Sequence, residues 1–482
     1  MTGEFVLAPT KFSRLSRRGI LFGLSAGQMV AVGAVVPVVV GCLAAGRPAA
    51  LLLTAPLWVT GLAVAFIPVA GLHLVDWAPV AFRWLLRVMT RQTTYRRRIA
   101  SPRPEAVLAL PGSASRLRAH KDPVSGAVMV HDPHAHTLTA ILTVSHAAFV
   151  LQDPAAQQRR VDGFGRVLAT VCRSGRIARL QVLERTLADS GAGLTDWWAR
   201  HGSTDDTFAN RTYRSLIDRA GPAAERHATT ISIALDLARA ARAVRAAGGG
   251  LIGAAEVLRQ EMGTLTTALR AAGLRPVGWC TSRELAAILL TAYDPHTAEG
   301  RDRAQASLGA LDTAGPVGLD EHWDRLHTDS AHHAVLWISE WPRALVFPGF
   351  LAPLVLTTGV RRAISITYSP LDTERATREI RRRKTEHLAD SAGRARFGQL
   401  EDARMNAEYG DVLQQESDLT AGHGILRYTG LITVSAPTRE ALESAIATIE
   451  QAAIQASCET RRLVGQQAQG FAASALPLAR PI

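Results

Sequence analysis

Lysine is almost missing from this chain of 482 residues. Lys11, Lys121 and Lys384 are the whole set, and arginine carries most of the positive charge behind a formal net charge of +12. None of the three closes a Gly-x-x-x-x-Gly-Lys-Ser/Thr run, so the loop that cradles nucleotide phosphates in P-loop enzymes is absent. No His-Glu-x-x-His occurs either, which removes a common helical zinc-hydrolase signature. Cysteine is scarce: Cys42, Cys172, Cys280 and Cys458 are scattered, with no Cys-x-x-Cys pair. That excludes a disulfide framework and a thiolate zinc set, and isolated reduced thiols suit a cytosolic domain. Ala, Gly and Arg are abundant together, a composition typical of GC-rich coding. The basicity is therefore discounted as a sign of specific nucleic-acid binding, and any such binding is expected to be salt-sensitive and indifferent to sequence.

Charge is missing from two long stretches as well. The 28 residues between Arg18 and Arg47, and the 28 between Arg47 and Asp76, contain no Asp, Glu, Lys or Arg. A helix needs about 20 apolar residues to cross a bilayer. Two spans are therefore expected, near 20–45 and 49–72, joined tightly through Gly46, Arg47 and Pro48. A cleaved signal peptide would have a shorter apolar core, and no second run would follow it directly. Lys11, Arg14, Arg17 and Arg18 precede the first run, and Arg83, Arg87, Arg91, Arg96, Arg97 and Arg98 follow the second. The positive-inside rule then places both termini in the cytoplasm of a multi-pass inner-membrane protein. Arg14, Arg17 and Arg18, with Trp77, Arg83, Trp84 and Arg87 beyond the second run, form the expected membrane interface: indoles at headgroup depth, arginines toward anionic lipid. Gly23-x-x-x-Gly27 is a small-residue pair suited to close helix approach. Gly23-Leu24-Ser25-Ala26-Gly27 also matches the hydrolase elbow Gly-x-Ser-x-Gly, but within an apolar run it has no strand-to-helix turn to expose the serine.

The expected division is a cytoplasmic segment over 1–19, a transmembrane helical hairpin over 20–74, a basic interfacial segment over 75–100, and two cytoplasmic subdomains over 101–300 and 301–482. Short apolar runs alternate with helical periodicity in the soluble part. Strands are predicted at 127–130, 138–144, 177–183, 229–237, 275–280, 334–338, 362–368 and 425–434. Helices are predicted from Pro154 behind an Asp153 cap, over 254–272, from the capping box Thr281-Ser282-Arg283-Glu284, and behind Thr438. The pattern reads as βαβ-type units in an α+β or α/β domain. A long polar helical region over 373–418, carrying Ile380, Leu388, Phe397, Leu400, Tyr409 and Leu413, reads first as a solvated helical hairpin with one thin buried stripe. The alternative is an arm that docks a partner, with Ile380, Leu388, Phe397, Leu400 and Tyr409 as its contacts. The tail from Gln466 onward carries no assignable pattern.

Two weak ligand patterns remain. Gly248-x-Gly250-x-x-Gly253 fits the dinucleotide expression, yet the preceding stretch 238–247 looks helical, so a flexible connection is the better reading. His131, His134 and His136, with Asp132 among them and His146 nearby, are the best metal candidates. A polar hairpin turned by Asp132-Pro133 is the better reading, because no second ligand cluster accompanies them. No metal and no cofactor is expected.

The order of parts resembles a known family. The arginine-flanked apolar pair is similar to the small two-span inner-membrane subunit of type IV secretion and conjugation machines. Residues 101 to the end resemble the N-terminal, non-motor part of the large conjugation ATPase. The closest likeness lies in 367–478: strand, long polar helical hairpin, strand at 424–434, helix from Thr438, and the run Gln467-Ala468-Gln469-Gly470-Phe471-Ala472-Ala473-Ser474-Ala475-Leu476-Pro477-Leu478, which looks like the junction into a motor domain. The chain looks like an actinobacterial version with the two parts fused. The resemblance implies a non-enzymatic scaffold that docks a separate P-loop ATPase at the membrane, within an oligomeric assembly that includes other membrane subunits. The missing P-loop departs from the family and puts ATP hydrolysis by this chain in doubt. A two-span core component of a type VII secretion system shares the same layout and stands as the alternative. A membrane-tethered metal enzyme built on the histidine cluster is a third reading.

Overall fold

The computed structural model describes residues 12, 25–44, 48–69, 72–97, 106–108, 110–145, 149–188, 192–203, 205–220, 225–295, 311–396, 403–420 and 424–482. The chain divides into two compact units, one of residues 15–93 and one of residues 1–14 with 94–482.

The smaller unit begins with two apolar helices, α1 (Ala26–Ala44) and α2 (Pro48–Phe66). They lie side by side in opposite directions. Gln28 Nε2 donates to the Ala65 carbonyl at 3.0 Å, Cys42 Sγ lies 3.9 Å from Thr54 Oγ1, and a Cβ on Gly61 would meet the Val35 side chain at 2.8 Å. Gly61 thus makes the close approach between the two helices. Gly27 instead faces Val75 and Asp76, and Gly23 lies outside the described residues.

Among the described residues one helical stretch, Gly27–Ala44, is long and apolar enough to cross a bilayer by length and composition, with a mean hydropathy of 2.0. A signal sequence would meet the same criterion. The predicted second span does not reach Leu72. Its apolar helical stretch is Leu52–Phe66, and α2 stops because Pro68 has no N–H to continue the helical ladder. A two-strand hairpin of β1 (Pro68–Val69) and β2 (Leu72–His73) follows, and then α3 (Leu74–Met89).

The larger unit is built on one 13-stranded sheet in which every pairing is antiparallel. Its elements in order are β3 (Thr94–Arg96), β4 (Arg118–Lys121), β5 (Val128–Asp132), β6 (Thr137–Ser145), α4 (Pro154–Ser174), β7 (Ile177–Ala188), α5 (Ala192–His201), α6 (Phe208–Ala220), β8 (Glu225–Asp236), α7 (Ala241–Ala246), α8 (Gly250–Ala271), β9 (Arg275–Trp279) and α9 (Ser282–Tyr293). Then follow β10 (Gly318–Glu321), β11 (Leu326–Thr328), β12 (His332–Glu340), α10 (Ala352–Val355), β13 (Arg361–Pro370), α11 (Thr373–Arg396), α12 (Ala403–Thr420), β14 (Leu426–Ala436), α13 (Arg439–Gln455), β15 (Glu459–Arg462) and α14 (Gln467–Ser474).

This order contains a duplication. The first half runs β6-α4-β7-β8-α8-β9, and its strands lie side by side as β9-β6-β8-β7. The second runs β12-α10-β13-β14-α13-β15, with strands side by side as β15-β12-β14-β13. Each is a split β-α-β unit of the ferredoxin-like kind. A β-hairpin precedes each half, β4-β5 and β10-β11, and shares the outer edge of the first strand with the last one. A pair of helices is inserted at the same point of each, α5-α6 after β7 and α11-α12 after β13. The halves join where β7 pairs β13, from Leu180↔Tyr368 to Arg185↔Ala363.

The expected βαβ units are corrected accordingly. β6 and β7 do run parallel, but β8 lies between them, so no parallel pair forms. The expected boundary at 300 falls between the halves, which nevertheless share one sheet and form one unit. The basic segment assigned to 75–100 is also divided, because Thr94–Arg96 pairs with β10 in the larger unit.

The local signals behave as their chemistry requires. Asp153 caps α4 by accepting from Ala156 N at 2.8 Å, Thr281 and Glu284 form a reciprocal capping box on α9, and Thr438 caps α13. Strand side chains alternate between two cores. Leu138, Ala140, Leu142, Ile231, Ile233 and Leu235 face α4 and α8, while Leu336, Ile432 and Val434 face α13. The opposite face, including Ile141, Leu183, Val335 and Leu431, is covered by α9, α14 and the last residues of the chain.

Candidate functional site

Two regions carry the side chains that sequence reasoning singled out, and a third holds polar groups it missed.

The first is α3. None of its residues is buried, and Phe82, Leu85, Leu86, Val88 and Met89 are exposed. At ~100° per residue, Asp76, Arg83 and Arg87 fall within roughly 40° of one another, leaving a broad apolar face with Trp77 and Trp84 together along one of its edges. The Arg87 guanidinium sits 6.0 Å from the centre of the Trp84 ring. The helix is amphipathic in the manner of an interfacial segment, with its indoles at the boundary of the two faces. Asp76 is held near the start of α1, where Ser25 Oγ donates to it at 3.2 Å. That bond accounts for the serine of the hydrolase-like motif as a packing group. Arg14, Arg17 and Arg18 lie outside the described residues.

The second region is the arm of α11 and α12. Ile380 is 4% exposed and therefore belongs to the buried stripe, not to a docking surface. Tyr409 stacks on His387 at 4.3 Å between ring centres, and Lys384 pairs with Glu416 at 2.8 Å; both contacts tie the two helices together. Leu388 and Leu413 are exposed, and Phe397 and Leu400 lie outside the described residues.

Among the described residues no group of three His, Cys, Asp or Glu side chains is placed to hold an ion. His131 lies on β5, and its pKa is pushed down by burial and by the neighbouring His120 and Arg118. Asp132 is occupied twice. One carboxylate oxygen accepts from the backbone N–H groups of His134 and Ala135 at 3.0 Å each, and the other lies 3.3 Å from Arg480 Nε. This is the turn chemistry of an aspartate, with a buried ion pair added. His146 lies outside the described residues.

The glycine-rich motif follows α7, not a strand. Gly248, Gly249 and Gly250 have φ of +98°, +74° and +57°, and a Cβ on Gly253 would collide with the Val244 carbonyl. These glycines turn the chain into α8 and let it pack closely on α7.

The third region is the buried seam under the C-terminal segment. Residues 473–480 run across the junction of the halves without a neighbouring strand, so their backbone groups need side-chain partners. Gln181 is fully buried and supplies several. Its Nε2 donates to the Ala473 and Leu476 carbonyls at 2.9 and 3.1 Å and to Ser365 Oγ at 2.9 Å, and its Oε1 accepts from Ala479 N at 2.7 Å. Ser232 Oγ donates to the Pro477 carbonyl at 2.8 Å, and Arg179 Nε to that of Ala479 at 2.6 Å. Thr433 and Ser474 share a hydroxyl contact. The same polar row of small side chains comes from both halves, so the tail is a structural keystone of the duplicated sheet. The available signal was the placement of Gln181, Ser232, Ser365 and Thr433 at inward positions of otherwise apolar strands.

Phe12 also went unnoticed in the sequence. It stacks on Trp341 at 5.3 Å between ring centres and touches Phe350 and Tyr428 at 5.4 and 6.0 Å.

No family model matches the chain, and no curated protein is detectably similar to it.

Proposed function

We propose that this protein is a membrane-anchored scaffold of a type IV secretion or conjugative-transfer apparatus, holding a separate P-loop ATPase at the cytoplasmic face. The observation that carries the anchoring is the position of Phe12. It precedes the apolar helices in sequence, yet it packs among Trp341, Phe350 and Tyr428 of the large sheet unit. A chain that enters the bilayer after Phe12 and returns to the same unit crosses an even number of times. Both α1 and α2 then span, with α2 completed by its flanking residues and by α3 lying along the interface. Cleavage after α1 would remove Phe12, so this arrangement also disfavours a signal sequence. The scaffold role is supported by two helical pairs inserted at equivalent points of the two halves and by the absence of a phosphate loop. The order of elements over 367–478 favours type IV machinery over the type VII alternative.

The test is topological and then biochemical. In sealed inverted vesicles, tags placed after residue 12 and after residue 482 should both be exposed on the outer, formerly cytoplasmic, side, and alkaline washing should leave the protein in the membrane. Tags on opposite sides, or release at alkaline pH, would overturn the anchor. Gentle detergent extraction should bring down a P-loop ATPase. Recovery of the protein alone, with the ATPase soluble elsewhere, would overturn the scaffold role.

A further inference from the structure

Arg185 is 6% exposed at the end of β7, and among the described residues no carboxylate pairs with it. Its Nη1 has two long contacts, to the Ile288 carbonyl at 3.5 Å and to Thr291 Oγ1 at 3.4 Å, and its Nε has no partner. A buried guanidinium left this way is costly, because desolvation penalises its charge while two long contacts and the field of Glu184 offset only part of it. The same burial pulls its pKa down to about 10, which leaves it charged at neutral pH. The acidic group beside it on the strand, Glu184, makes no ion pair with it: its Oε1 is bonded to His227 Nδ1 at 2.6 Å, and its Oε2 is buried without a hydrogen-bond partner.

Arg185 borders a cleft of about 440 Å³, counting the part open to solvent, between β7, β13 and the end of α9. Arg361 lines the same cleft and donates to the Pro295 carbonyl. Of the hydroxyls around it, two are committed elsewhere, and that of Thr186 is buried without a hydrogen-bond partner. Thr291 donates to the Ala287 carbonyl at 2.8 Å, and Ser435 lies 2.7 Å from His333 Nδ1. Among the described residues the cleft is thus lined by the guanidinium groups of Arg185, Arg361 and Arg362 and by no carboxylate. That is the chemistry of oxyanion recognition, in which a planar fork meets two oxygens of one ligand.

We propose that this cleft, at the junction of the two halves, binds a small tetrahedral oxyanion of phosphate type, with Arg185 as its buried anchor and Arg361 as its second positive group. Free inorganic phosphate and the phosphate end of a small organic phosphate share this chemistry. The cleft lies on the large sheet unit alone and does not depend on the scaffold reading.

The test uses the full chain in detergent. Inorganic phosphate, glycerol phosphate and acetate are titrated at matched ionic strength, with chloride as the reference, because generic screening acts on any chain this basic. Phosphate at ~100 times its Kd should raise the melting temperature by roughly 3 °C. A larger rise with glycerol phosphate would identify an organic phosphate as the better ligand, and acetate should do little. Arg185→Met should abolish the rise while melting, in chloride alone, no lower than the wild type. Arg361→Gln should weaken binding by roughly tenfold, the size of one lost charge-assisted bond. Should Arg185→Met fail to fold, the wild-type titration and Arg361→Gln still decide. Equal melting in phosphate and chloride, or an undiminished response in either variant, overturns the site.

Discussion

The two halves of the sheet differ most where they should be alike. The first half covers one face with α4 and α8, helices of 21 and 22 residues. The second keeps α13, with 17 residues, but reduces the counterpart of α4 to the four residues of α10. The uncovered face is closed by other means. Trp341 lies against Gly430, where a Cβ would meet the indole at 2.7 Å, and Phe12 stacks on that indole. Arg362 binds the last carbonyls around α10, donating to Val355, Thr357 and Val360. A glycine within a strand here marks a close approach, not a bend. The comparison teaches that a duplicated fold can lose a helix from one copy and use the space to seat a distant segment of its own chain. In this protein that segment is the one that leads into the apolar helices.

The largest way to break the likeness of the halves is at the seam they share. Gln181→Leu leaves the Ala479 N–H buried without its acceptor and takes one donor from each of the Ala473 and Leu476 carbonyls, which keep Ser365 Oγ and Leu478 N respectively. One unpaired buried group costs ~1–3 kcal/mol and weakened carbonyl bonds add to it, so a loss on the order of 3 kcal/mol is expected in denaturant unfolding. Ser232→Ala, which frees one carbonyl on the first half alone, should cost about 1 kcal/mol. A small effect of Gln181→Leu would mean that the tail is not held by the seam.

A second break is confined to the second half. His333 is fully buried between Thr328 Oγ1 and Ser435 Oγ, at 2.8 and 2.7 Å, and burial drives its pKa from 6.5 to about 3. The folded state keeps it neutral while the unfolded chain protonates near pH 6.5. Its contribution is therefore complete above pH 6.5 and is lost as pH falls toward 3. Between pH 7.5 and 5 the loss from this group is about 2 kcal/mol. Unfolding curves against pH should show that slope, and His333→Asn should flatten it. An unchanged slope in the variant would assign the acid sensitivity to other groups.

Phe12→Ala tests the seating of the N-terminal segment directly. Stacked aromatic pairs contribute ~0.5–1.5 kcal/mol beyond their area, so stability of the large unit should fall by about 1 kcal/mol and Trp341 fluorescence should shift. The corresponding face of the first half, closed by α4 with Phe164 at 6.4 Å from Tyr368, should not respond.

Much of this was legible locally and little of it globally. Helix caps at Asp153, Thr281 and Thr438 are single-residue chemistry and need no tertiary context, so those helices were placed well from sequence. Strand partners are different. A run such as 177–183 reads the same whether its neighbour is parallel or antiparallel, and only β8, inserted between β6 and β7, decides it. The duplication was hidden for the same reason. It lies in pairing order, and the shortening of α10 removed the helical period that would have announced the repeat. The polar seam was hidden because a glutamine inside an apolar strand looks like a solvent-facing position until the tail that covers it is seen. Ile380 was read two ways, as an anchor of the buried stripe and as a docking contact, because a lone isoleucine in a polar helix has the same sequence signature in both roles; its burial fits the first.

Leu388 sharpens that last distinction, and it has the smallest expected effect on stability. It lies on α11 two turns beyond buried Ile380, is 56% exposed, and shares its helix with His387, which is turned inward onto Tyr409. Leu388→Glu removes no buried contact, so the melting temperature should stay within the range of ordinary surface changes, about 0.5 kcal/mol. Ile380→Ala, by contrast, opens a cavity under the arm and should cost ~2–4 kcal/mol. If α11 and α12 form a docking arm for the proposed ATPase partner, Leu388→Glu should reduce its co-purification from detergent extracts while leaving unfolding unchanged. If the arm only shields the sheet, co-purification should be untouched by Leu388→Glu and should fall with Ile380→Ala only as far as folded protein is lost. The exposed leucine and the buried isoleucine, two helical turns apart, thus separate a surface made for a partner from one made for the fold.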